Sequence, residues 1–383
     1  MNKRHPRRVL RAAHRWLGLV VGLAFILLGL TGSLLVFHRE IDHFLLNRDW
    51  WRVERAAPSL TLAELALRLR EQRPSAKGVG VDRPAFSGSA PSGYYEVPGA
   101  SGETRFMIAA LDPATGRIRG EYAWGVLPPG RRNFMSVVYR LHYELLAGAT
   151  GLTLVGVLGL ATLLLLAIGL YLWWPRPRRW RQSLRLKPGA PPVRRQFDLH
   201  GIFGALGGLG LGIIALSGAY MALPGPFRAA IGAVTHLTPF PQTPHITALT
   251  AAPPARVEAA IRPSLEHARY DSFALGDAGQ PHRLTFREPG DPRTDYGSTV
   301  IFADPADGHV LAHHSPARMS TADLVLRFQF PLHNGQALGQ AGRILVAVLG
   351  ILPIGLFVTG LRLWWLRRSA RSRASKAPQR ATA

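Results

Sequence analysis

Residues 16–37, "WLGLVVGLAFILLGLTGSLLVF", run for 22 positions without a charged side chain. A hydrocarbon layer of about 30 Å takes roughly 20 apolar residues of α-helix to cross, so this run is long enough to span one. Three more charge-free stretches follow, at 145–174, 201–227 and 344–361. In lipid the backbone must satisfy its own hydrogen bonds, which leaves helices and closed barrels. Unbroken apolar runs of this length specify helices, and the chain reads as four transmembrane helices. The first run exceeds the roughly 7–15 apolar residues of a signal peptide. No small-residue cleavage site follows "LLVFHREID", so it is expected to stay as an anchor.

The formal net charge of +23 would suit a nucleic-acid partner, but its placement argues otherwise. Six basic residues precede Trp16, the 175–200 linker has eight against the single acid Asp198, and six follow Trp365 with no acid. If the four helices alternate in direction, these segments share one side, which is the positive-inside pattern. The charge then serves orientation and attraction to anionic lipid, with no nucleic acid required. The expected layout is a cytoplasmic tail at 1–15 and spans at 16–37, 141–174, 200–224 and 333–366. External segments lie at 38–140 and 225–332, a basic cytoplasmic linker at 175–199 and a basic tail at 367–383. Both termini are expected in the cytoplasm of a bacterial cell, with the long segments in the periplasm.

The chain contains no cysteine. That excludes disulfides, thiolate-held zinc, iron–sulfur clusters and covalently attached haem. Any metal must be held by His, Met or oxygen ligands, or arrive in a haem bound without covalent links.

A register match runs through the apolar segments. His142 and His333 each stand 31 residues before the first Trp of a Trp-Trp pair, Trp173-Trp174 and Trp364-Trp365. At a shift of 191, Gly148, Gly151, Gly159 and Gly169 fall on Gly339, Gly342, Gly350 and Gly360. At a shift of 186, His14, Gly18, Gly22 and Gly32 fall on His200, Gly204, Gly208 and Gly218, and Thr31 falls on Ser217. Outside the membrane, "FMIAALDPATGRIRGEY" and "TVIFADPADGHVLAHH" both read as strand, Asp-Pro-x-x-Gly turn, strand. Each follows a helical pattern, "SLTLAELALRLREQR" and "PARVEAAIRPSLEHAR", the second interrupted by Pro263. The expected fold is an all-α transmembrane four-helix bundle built from a tandem, parallel repeat, with two small α+β periplasmic modules. Repeats in the same orientation are related by an axis along the membrane normal. Recurrent glycines let helices approach closely and leave room for a flat cofactor.

That symmetry would set His14 opposite His200 on the cytoplasmic side and His142 opposite His333 on the outer side. Two opposed imidazoles are what bis-histidine haem ligation needs, one nitrogen on each face of the porphyrin. Two haem b groups per chain are expected, one at each pair. Of the other ten histidines only His38, at the outer end of the first span, lies near such a level, and it is kept as an alternative ligand. Haem propionates favour cationic partners: Arg140 and Arg343 for the outer pair, Arg15 and Arg195 for the inner. A straight helix from His142 to Trp173 would rise about 46 Å, longer than the apolar layer.

The segments "HRWLGLVVGLAFILLGLTGSLL", "LHYELLAGATG…GLYLWWP", "DLHGIFGALGG…ALSGAY" and "LHNGQALGQAG…VTGLRLWW" resemble the PepSY-associated transmembrane proteins. The resemblance covers nearly the whole chain and is specific in the membrane segments. It implies a bacterial inner-membrane protein with periplasmic PepSY-like modules. Some members are described as di-haem reductases that release iron from ferric siderophores, and the family's helix-entrance histidines fall on His14, His142, His200 and His333.

The function expected is transfer of electrons from a quinol or a cytoplasmic reductase to a periplasmic ferric siderophore, since Fe(II) is held less tightly by hard oxygen donors. No G-x-G-x-x-G follows a strand, so the primary donor is another molecule. A non-enzymatic sensor or accessory protein binding a peptide, a peptidase or a siderophore is the alternative. A permease is disfavoured because the helices carry no internal acidic residue to couple ions, and a peptidase because neither H-E-x-x-H nor G-x-S-x-G is present.

Overall fold

The computed structural model describes residues 4–53, 59–99, 102–239, 243, 246, 252–291, 293 and 296–376. Residues 377–383 of the basic tail lie outside the described residues. The chain divides into two compact units, one of residues 1–36, 141–224 and 332–383, the other of residues 37–140 and 225–331.

The first unit holds the apolar segments. Among the described residues four helices are long and apolar enough to cross a membrane. They are Arg4–Leu35, Gly148–Trp173, Pro192–Ala222 and Gly339–Lys376, here the first to fourth spanning helices. Their apolar side chains stay largely exposed, as expected of surfaces meant for lipid. The first helix packs on the second and fourth, and the third packs on the second and fourth. This order is a ring, so the first and third helices oppose each other across one diagonal and the second and fourth across the other. Small residues bring the walls together: the Ser33 hydroxyl donates to the Ala347 carbonyl at 2.8 Å, between the first and fourth helices.

The segment read from sequence as one span over 141–174 is divided. A helix Phe134–Glu144 ends just past His142, the backbone turns at Leu145, Leu146 and Gly148 with φ of 51°, 57° and 58°, and the spanning helix begins. The corresponding segment at 333–366 is divided likewise. The helix Thr321–His333 ends on the histidine, Gly335 and Gly339 take φ of 82° and 60°, and the fourth spanning helix starts at Gly339. Positive φ costs glycine little, and Gly339 at ψ −144° occupies a region almost closed to other residues. The break also explains Gly342: a Cβ there would stand 2.2 Å from the Gly335 carbonyl oxygen.

The second unit is one eight-stranded antiparallel sheet, order β4-β3-β2-β1-β5-β6-β7-β8. The strands are β1 Lys77–Asp82, β2 Ser92–Pro98, β3 Thr104–Leu111, β4 Ile118–Ala123, β5 Arg269–Ala274, β6 His282–Arg287, β7 Thr299–Ala303 and β8 Val310–His314. Sequence reasoning anticipates two separate modules. The two halves instead share a sheet, with Gly80, Val81 and Asp82 of β1 paired to Ala274, Phe273 and Ser272 of β5. Pairing β1 with β5 buries two strand edges that would otherwise expose unpaired N–H and C=O groups. The helices Leu62–Gln72 and Pro254–Ile261 supply Leu65, Leu69, Val257 and Ile261 to a core with Val79, Val81, Phe273, Leu284 and Ile301. A capping box of Thr61 and Glu64 starts the first of these helices. The two Asp-Pro-x-x-Gly turns form as anticipated: Asp112 and Asp304 accept hydrogen bonds from backbone N–H groups, and Gly116 and Gly308 take φ of 74° and 81°.

Candidate functional site

His14 and His200 stand on the first and third spanning helices, opposed across a diagonal of the ring, with ring centroids 6.1 Å apart and planes at 84°. His142 and His333, just ahead of the second and fourth spanning helices, have centroids 6.1 Å apart and planes at 58°. A metal between two imidazole nitrogens sits about 2.0 Å from each, and each centroid lies about 1.1 Å further back, which places opposed centroids about 6.2 Å apart. Both pairs meet that separation.

Three of the four histidines are met by hydrogen-bond partners on another helix. The Thr31 Oγ1 lies 3.0 Å from His142 Nδ1, the Ser217 Oγ 3.1 Å from His333 Nδ1, and the Thr359 Oγ1 3.0 Å from His200 Nδ1. All three hydroxyls donate to a carbonyl of their own helix: Leu27, Ile213 and Gly355, at 2.8, 2.7 and 2.6 Å. With the hydroxyl proton so used, the oxygen can only accept, and Nδ1 must carry the proton. The carbonyls of Leu356 and Ile214, each 3.0 Å from Nδ1 of His200 and His333, enforce the same tautomer. Nε2 then keeps its lone pair, the form in which imidazole ligates a metal.

Beside each hydroxyl is a glycine that makes room for the ring. A Cβ on Gly32 would stand 2.9 Å from His142 Cε1, one on Gly218 3.0 Å from His333 Cε1, and one on Gly360 3.3 Å from His200 Cε1. His14 meets Gly169 in the same way, at 2.8 Å. The dipeptides Thr31-Gly32, Ser217-Gly218 and Thr359-Gly360 are thus parts of the site that sequence reasoning did not assign. The hydroxyl before a register-matched glycine is the signal that was there to read.

The His14/His200 pair opens into a cleft of about 130 Å³. Its walls are apolar, with Phe25, Leu166, Trp173 and Phe357, and the small residues Gly18, Gly22, Gly201 and Gly204. Among the described residues no group of three or more His, Asp or Glu side chains is placed to hold a metal ion. Two nitrogens and an apolar cleft lined by glycines fit a metal that brings its own equatorial ligands, as haem iron does. Along the first helix His14 and Thr31 are 17 residues apart, as are His200 and Ser217 on the third (31 − 14 = 217 − 200). That is a rise of about 25 Å between the two levels. The helix breaks therefore remove the 46 Å expected for an unbroken run, because His142 and His333 fold back to the level of Thr31 and Ser217.

The remaining sequence candidates are placed as follows. His38 belongs to the sheet unit and sits edge-on to Tyr139, centroids 6.2 Å apart. Arg140 belongs to the same unit and donates to the Gly125 carbonyl at 3.0 Å. Arg343 donates to the Val36 carbonyl at 2.7 Å and to Gln340 at 3.1 Å. Arg15 lies over the Trp16 ring at 5.3 Å, and Arg195 is exposed. The basic residue held in place near the third helix start is Arg194, whose Nε is 2.8 Å from the buried Asp198.

The sheet unit has a buried polar cluster of its own on the π-helical turn Ile41–Leu46. Asp42 accepts from Asn47 Nδ2 at 2.6 Å and Trp51 Nε1 at 3.1 Å, and burial pushes its carboxyl up to about 6. His43 stacks on Trp51 with centroids 4.2 Å apart, and burial, with Arg39 nearby, drives it down to about 3. Burial shifts both groups toward their neutral forms.

The family model for the PepSY-associated TM region matches residues 11–367, nearly the full chain. The chain belongs to the PepSY-associated transmembrane family. Among curated proteins none matches it. This PepSY-associated protein is accordingly a multi-pass membrane protein, and all four paired histidines lie within the matched region.

Proposed function

We propose that this protein holds two haem b groups, one at His14/His200 and one at His142/His333, and carries electrons across the bacterial inner membrane to a periplasmic ferric siderophore. The observation that carries the reading is the recurrence of one arrangement at both levels: opposed imidazoles 6.1 Å apart with glycine clearance beside each ring. Bound haem would supply a one-electron Fe(III)/Fe(II) couple at each level. The chain's residues fix the ring tautomers through Thr31, Ser217 and Thr359 and keep the His14/His200 cleft apolar. A quinol or a cytoplasmic reductase supplies the electron, and the ferric chelate outside is reduced by one electron to Fe(II), which hard oxygen donors hold less tightly. In this reading both termini and the basic linker face the cytoplasm, following the distribution of Lys and Arg. The register matches at 186 and 191 reflect a tandem repeat, and the two halves of the sheet are PepSY-like modules joined at β1 and β5.

The test is a visible spectrum of the purified protein from haem-sufficient cells, oxidised and after dithionite. Two haems per chain and a sharp α-band on reduction are expected, with reoxidation on adding a ferric siderophore. A colourless protein would overturn the reading in favour of a non-enzymatic accessory role.

A further inference from the structure

The four histidines are not equally supported. Three have a hydroxyl at Nδ1, each followed in sequence by the glycine that clears the ring. At the 191 shift the elements around His200, namely Leu356, Thr359 and Gly360, fall on Leu165, Ile168 and Gly169. Gly169 faces His14 as Gly360 faces His200, and the Leu165 backbone lies alongside as Leu356 does. The place of the Thr359 hydroxyl, however, is taken by Ile168. His14 Nδ1 is buried, with the Leu165 carbonyl as its nearest backbone acceptor, and among the described residues no hydroxyl stands within hydrogen-bonding distance of it.

We infer that Ile168 makes the His14/His200 centre electronically asymmetric and raises its reduction potential above that of a pair with hydroxyls on both sides. The inference rests on the haem reading above. An Nδ1–H that donates to an acceptor makes imidazole a stronger donor to the metal, which favours the more highly charged oxidised state. Where the hydroxyl is missing and a backbone carbonyl is left as the only acceptor nearby, the oxidised state loses stabilisation and reduction becomes easier. His14 is therefore a ligand positioned by its glycine but not tuned by a hydroxyl.

The experiment is a potentiometric titration with electron paramagnetic resonance of the full-length, haem-loaded protein. His200→Ala assigns which signal belongs to this centre. Ile168→Thr is expected to lower its potential by about tenfold in the reduction equilibrium, or about 59 mV for one electron. Its g-values should shift while the other centre stays unmoved. Thr359→Val should raise the same potential, and Ile168→Val should leave it unchanged. Should Ile168→Thr not accumulate, Ile168→Ser carries the same expectation. Haem-loaded Ile168→Thr protein whose potential and g-values stay at the wild-type values would overturn this inference alone. An equal shift from Ile168→Val would also overturn it, since packing rather than the hydroxyl would then be responsible. A colourless wild-type protein would overturn the haem reading beneath it.

Discussion

His14 and His200 stand inside continuous helices, whereas His142 and His333 stand on the last turns of separate helices that stop at a sharp backbone break. Both routes end at the same centroid separation of 6.1 Å. A histidine within a spanning helix is aimed by its rotamer and by whatever clears space on the opposite wall. A histidine ahead of a spanning helix must also be carried back into the bundle, which requires backbone conformations that few residues adopt. The His142/His333 level thus depends on turn chemistry in addition to wall packing, whereas the His14/His200 level needs no backbone break.

The largest expected effect comes from removing a ligand. His14→Ala and His200→Ala should each abolish the same half of the haem absorbance, and His142→Ala and His333→Ala the other half. Loss of one common signal in all four variants would show that the levels are not independent.

Gly32→Val sharpens the comparison by adding bulk at one level only. Its Cβ would start 2.9 Å from His142 Cε1, and overpacking of this kind costs about 1–3 kcal/mol. The His142/His333 centre should be lost or displaced while the His14/His200 centre keeps its spectrum. Retention of both signals at wild-type intensity would mean that the glycine clears nothing essential.

The smallest effect belongs to the sheet unit, where a buried histidine works through stability alone. His282 Nδ1 accepts from the Gly276 N–H at 2.9 Å, and burial pushes its pKa down to about 4, against the attraction of Asp304. The unfolded chain takes up the proton near pH 6.5, before the folded state does. Stability should be full above that pH and fall between about 6.5 and 4, by no more than about 3 kcal/mol. His282→Gln, which keeps an acceptor, should flatten part of this slope in denaturant unfolding at pH 7.5, 6 and 5. An unchanged slope would place the acid sensitivity elsewhere.

The spans were legible because an apolar run of some 20 residues is a local property. The paired histidines were legible because two constant shifts bring four of them into register. The breaks at 145–148 were not, since Leu145 and Leu146 at positive φ follow no local rule and are held there by their surroundings. The continuous sheet was equally hidden, because a strand edge at β1 carries no mark of whether it meets solvent or β5. Thr31 was visible as a match to Ser217 but without a role, its partner His142 being 111 residues away.

What the sequence determined by itself was how many segments suit a membrane, where the positive charge lies and which residues recur, all of them written in consecutive side chains. What only the tertiary structure decided was the diagonal apposition of the histidines, the proton on Nδ1 of three of them and, among the described residues, the lack of a hydroxyl beside His14. Those follow from close packing between helices far apart in the chain, where a single methyl group too many, or one hydroxyl too few, changes what an imidazole can hold.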